Sequence, residues 1–67
     1  MDAGKTIRAF RKLQGIKQYQ LARDLYISQQ HLSQMERGDV RVSVEMMDEI
    51  LNQLGYRLTV EKKGENI

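Results

Sequence analysis

Residues Ile27 to Gly38 read ISQQHLSQMERG, and the way this stretch starts decides the fold. Ser28 is a favourable helix N-cap, because its hydroxyl can accept from a free backbone N–H of the first turn. With Ser28 as cap, Ile27 falls one place before it and Leu32 at the fourth helical position, the spacing of a hydrophobic staple. Gly38 supplies the stop. The reading is a short helix over 29–37 with a firmly specified start. Gln29, Gln30 and Gln34 give it a face of uncharged amides.

Working outward, residues 18–25 form a second short helix with Leu21, Ala22 and Leu25 as its buried set, and Tyr26-Ile27 as a tight connection. Its cap position holds Lys17, a poor N-cap residue. Ahead of it, residues 6–14 carry Ile7, Phe10 and Leu13 on one side and Arg8, Arg11 and Lys12 beside it, with Gly15 as the breaker. Beyond a loop over 39–42, Ser43 caps a fourth helix running to Leu54, with Val44, Met47, Ile50, Leu51 and Leu54 at helical spacing. Glu45, Asp48 and Glu49 place acid in its early turns, where the helix dipole favours it. After Gly55, Tyr56, Leu58 and Val60 alternate with polar residues, a period of two that predicts one half-buried strand over 56–61. Nothing else in the chain alternates this way. A partner strand from a second copy, antiparallel across a two-fold axis, is the economical way to satisfy its edge. A frayed end after Gly55 is the plainer alternative.

The expected organisation is an N-terminal segment 1–5, a helical domain 6–54, a dimerisation strand 55–61 and a disordered tail 62–67. The fold class is mainly α: four helices plus one C-terminal β-strand that pairs across a homodimer. At 67 residues without cysteine, the chain has no disulfide to hold it, and its stability must come from packing or a partner subunit. A single histidine argues against a structural zinc site. No apolar run approaches a membrane span and no signal-like start is present, so a cytoplasmic protein is expected. No nucleophile, carboxylate pair or metal set is arranged for catalysis; neither an enzyme nor a cofactor is expected.

The net charge of +2 conceals an uneven distribution. Residues 1–23 hold six basic side chains against one acid, whereas residues 24–49 hold two against six. Such a chain can turn a cationic face to a polyanion, or simply solvate both faces. Two short helices joined by a tight turn, the second firmly capped, form a helix-turn-helix pattern whose second helix enters the DNA major groove. Glutamine pairs bidentately with adenine, so the amide face suits base reading. The plainer reading is a soluble helix surface, glutamine being a good helix former.

The order of residues also carries a resemblance. IKQYQLA over 16–22, LYIS over 25–28 and LSQMERG over 32–38 resemble the Cro and C1 repressor-type helix-turn-helix family, across about residues 6 to 54. The run Ser28-Gln29-Gln30 followed by Gln34 is similar to the recognition helix of the lambdoid phage repressors. The resemblance implies base reading by Gln29, Gln30 and Gln34, with Ser33 beside them, and phosphate contacts from Ser28 and Gln18. It also implies an ion pair between Arg11 and Glu36, joining the first helix to the end of the third. Lys17, at a helix start, suits a phosphate; Arg37 and Arg41 flank the end of the recognition helix and are read the same way, with solvation as the alternative. Tyr19 either packs on the face of the first helix, the preferred reading, or leans its hydroxyl against the DNA backbone, and His31 either meets the DNA or is solvated.

Two departures stand out. Lys17 replaces the family's usual threonine or serine, and Tyr26 replaces its usual turn glycine, where a positive φ is unfavourable for tyrosine. The strand in place of a fifth helix is similar to the small antitoxin-type members, which dimerise through it. The expected function is a sequence-specific DNA-binding transcriptional regulator, a repressor, reading an inverted repeat as a homodimer with Leu54, Tyr56, Leu58 and Val60 at the interface. The alternative is an antitoxin that also neutralises a toxin by direct contact. A module using its basic face for a protein partner alone is a third reading.

Overall fold

Four helices make up most of residues 2–56, the part of the chain that the computed structural model describes. They are α1 (Ala3–Leu13), α2 (Gln18–Asp24), α3 (Gln29–Arg37) and α4 (Val44–Gln53). No strand occurs among the described residues. The expected strand beyond Tyr56, with Leu58 and Val60, and the tail over 62–67 lie outside them.

All four helices end in the same way. A left-handed residue closes each, at the C-cap of α3 and just after it in the others: Gly15 at φ 70°, Tyr26 at 59°, Gly38 at 82° and Gly55 at 87°. The N–H one residue further on then donates back five positions, Ile16 to Arg11 O, Ile27 to Ala22 O, Asp39 to Gln34 O and Tyr56 to Leu51 O. These are Schellman caps, which satisfy carbonyls that the helix itself leaves open. They make the turns tight, so that short helices fold directly onto one another. Three of the four use glycine. Tyr26 is the exception, and it takes the glycine conformation with its side chain almost wholly exposed.

The helix starts are capped by side chains at three of the four positions. Asp2 accepts from Lys5 N–H at 3.2 Å, Ser28 from His31 N–H at 3.0 Å and Ser43 from Met46 N–H at 3.0 Å. Lys17 makes no such bond; instead Gln20 reaches back, its Oε1 accepting from Lys17 N–H at 2.9 Å. Half of a capping box thus does the work that a poor cap residue leaves undone.

The first helix starts three residues earlier than the sequence suggests, with Asp2 as cap and Gly4 inside the first turn. Gly4 is buried because α1 crosses the end of α3 there. A Cβ at Gly4 would sit 2.3 Å from Met35 O and 2.8 Å from Glu36 O. The crossing is a backbone-to-backbone approach that only glycine permits.

Ile7, Leu21, Ala22, Leu25, Leu32, Met35, Ile50 and Leu54 form the core, one or more from every helix or its cap. Of the two residues expected to form the staple at α3, Leu32 is fully buried in the core and Ile27 lies against the same cluster. Two positions expected on the apolar helix faces differ. Leu13 is 75% and Val44 72% exposed. Val44 is the first residue of α4 and Leu13 the last of α1, where the helix ends project past the core. Leu54, expected at a dimer interface, is buried within the single chain. Tyr56 is half-buried on Phe10, their ring centroids 4.5 Å apart, with its hydroxyl accepting from Gln14 Nε2 at 3.1 Å.

Candidate nucleic-acid interface

The core fixes α3 by one side and leaves the other bare. Leu32, Met35 and Glu36 point inward, while Gln29, Gln30 and His31 are exposed and Ser33 and Gln34 are partly covered. The amides at 29 and 30 therefore occupy the first turn of α3, on the end that reaches base edges most readily in a helix-turn-helix. Ser28 beside them uses an oxygen lone pair for its cap bond, so its hydroxyl hydrogen stays available to a phosphate.

Beneath the turn lies a buried ion pair. Arg11 Nε donates to Glu36 Oε2 at 2.7 Å and Arg11 Nη2 to Oε1 at 2.9 Å. A third donor, Arg11 Nη1, reaches Ile16 O at 2.9 Å. The geometry is bidentate, and both side chains are nine-tenths or more buried. Burying two charges gains little net stability even with good geometry. What the pair does is hold the end of α3 to α1 and to the chain entering α2 in one orientation.

From this pair a line of hydrogen bonds runs to the surface. Gln18 Nε2 donates to Glu36 Oε1 at 3.2 Å, and Gln29 Nε2 donates to Gln18 Oε1 at 3.3 Å. Among the described residues no buried side-chain nitrogen or oxygen lacks a partner. Arg8, Arg11, Gln18, Ser33, Glu36 and Arg37 line an open cleft of about 370 Å³ beside the amide face.

The other expected contacts are placed less uniformly. Lys17 and Arg41 are exposed, Lys17 at the start of α2 and Arg41 in the loop before α4. Arg37 is already engaged: its Nε donates to Asp39 at 2.9 Å and its Nη1 to Ser33 Oγ at 2.5 Å. Ser33 accepts from an arginine on its own helix and, like Ser28, keeps its hydroxyl hydrogen. Sequence reading did not anticipate the Asp39 contact, although the spacing across Gly38 was visible. Arg8, one turn before Arg11 on α1, was seen only as part of a basic face.

A model of the helix-turn-helix family, of the Cro/C1 type, matches residues 7–60. The chain belongs to that family. No curated relative and no solved structure matched it. Family membership supports a DNA-binding transcriptional regulator. Among the described residues no helix is long and apolar enough to cross a membrane.

Proposed function

We propose that this helix-turn-helix protein is a sequence-specific repressor that acts as a homodimer, each copy setting α3 into a major groove. The observation that carries the proposal is the pair of exposed amides, Gln29 and Gln30, on the first turn of a helix whose inner side is locked by packing and by the Arg11–Glu36 pair. An amide offers a donor and an acceptor side by side, which matches adenine N7 and N6. Gln34, one turn on, extends the reading face. Ser28, Lys17 and Arg41 supply phosphate contacts that fix register without carrying sequence information. Two recognition helices related by a two-fold axis call for an inverted repeat with half-sites about 34 Å apart. Occupying such a site near a promoter represses by exclusion. The protein needs no catalytic step for this and works by binding alone.

The test is fluorescence anisotropy of the protein on duplex DNA from upstream of its own gene, over a range of salt. Wild type binds with a sequence preference and weakens as salt rises; Gln29→Ala and Gln30→Ala lose the preference while retaining salt-dependent binding. Equal binding to every duplex by wild type, or none, counts against the base-reading face.

A further inference from the structure

Tyr26 holds a left-handed backbone, which a residue with a side chain adopts at a cost, and its ring is almost wholly exposed. Packing within the described residues returns none of that cost. We infer that Tyr26 is a DNA-backbone contact: its phenolic O–H donates to a phosphate at the wall of the major groove, beside the one that Ser28 meets. The inference rests on the docking of α3 proposed above.

The turn between α2 and α3 has few donors to offer a phosphate. The N–H of Tyr26 is given to Arg23 O at 3.1 Å and that of Ile27 to Ala22 O at 3.0 Å, both to close α2. Leu25 is buried and Ile27 half-buried. What the turn presents to solvent is two hydroxyls, those of Tyr26 and Ser28. A phosphate oxygen only accepts, and a phenol can donate to it.

Position favours the phosphate over a base. Base edges are met by the first turn of α3 itself, and Tyr26 stands ahead of the Ser28 cap, at the mouth of the groove. Two residues of chain span at most about 7 Å, so the ring at 26 is carried beside the start of α3. Tyrosine places a donor at the end of a long arm with only two side-chain torsions to order. Glycine would relieve the backbone but would leave the turn without that donor. Stability and binding therefore pull in opposite directions at this residue. Because the phenol is neutral at ordinary pH, its hydrogen bond adds affinity on every sequence and releases no counterion.

Fluorescence anisotropy of wild type, Tyr26→Phe and Tyr26→Gly tests this, on the upstream duplex and on a scrambled one, over a range of salt, with thermal unfolding alongside. Tyr26→Phe keeps the ring and the turn and melts like wild type, yet binds both duplexes about tenfold more weakly, with the slope of log K against log salt unchanged. Tyr26→Gly binds as weakly although its Tm rises. In ethylation interference, one phosphate of each half-site matters to wild type and no longer to Tyr26→Phe. A Tyr26→Phe protein that binds like wild type overturns the inference. So does a loss confined to the upstream duplex, which would make Tyr26 a base reader, or an interference pattern identical to that of wild type. If wild type binds the two duplexes alike, the base reading falls, while the tenfold loss in Tyr26→Phe still upholds the phosphate contact; a wild type that binds neither overturns both.

Discussion

Tyr26 adopts a conformation that an L-residue takes at a cost of about 1–2 kcal/mol, and its ring lies in solvent, 95% exposed, so that packing does not offset that cost among the described residues. Glycine at this position removes the strain but gives up about 0.5–1 kcal/mol through its freer unfolded chain. The balance favours Tyr26→Gly by about 0.5–1 kcal/mol, a rise of a few degrees in Tm for a domain of this size, read by thermal unfolding. A fall in Tm would show that the tyrosine is stabilised by something other than its backbone. At the ion pair the direction is opposite. Arg11→Ala leaves the Glu36 carboxylate buried without its partner and costs about 3–5 kcal/mol, which urea unfolding would register as loss of most of the stability of a small domain. The double substitution Arg11→Met with Glu36→Leu removes both charges together and is expected to be much milder, since no buried charge is left alone. If the two versions unfold at the same urea concentration, the pair is not acting as a unit.

Among the elements, α3 was the most legible in the sequence, and α1 the least. The serine cap, the staple of Ile27 on Leu32 and the closing Gly38 are local signals, and each places an α3 boundary without reference to the rest of the chain. The start of α1 was hidden because Gly4 looks like a reason not to be helical, whereas it is there for the crossing of α3. That reason is tertiary and leaves no trace in the local pattern. Gly4→Ala accordingly forces a methyl group against Met35 O and Glu36 O, and is expected to cost about 1–3 kcal/mol although alanine is the better helix former. A stability change close to zero would mean that α1 can slide off α3 at no cost. Periodicity also placed Leu13 and Val44 inside, since it gives the face of a helix but not where the core stops along it. The exposed amides were legible from spacing and resemblance; the hydrogen bonds from Glu36 through Gln18 to Gln29 join residues that only the folded chain brings together.

For the whole molecule, the buried side of α3 is taken up by packing and one ion pair, and its bare side presents amides, with Lys17 and Arg41 exposed elsewhere on the surface. On the proposed reading, affinity and specificity reside in different residues. Arg41→Ala should lower affinity for all duplexes alike and reduce the slope of log K against log salt by about 0.9 per half-site, with base preferences unchanged. An altered base preference in that variant would place Arg41 among the base readers. The central claim is that the amides of α3 meet adenine through the major groove, and one measurement addresses it directly. It is binding to the preferred duplex in which a single adenine at the step read by Gln29 is replaced by 7-deaza-adenine, which removes N7 and alters nothing in pairing or in the minor groove. The account predicts about a fivefold or greater loss for wild type and none for Gln29→Ala; equal wild-type binding to both duplexes would contradict it.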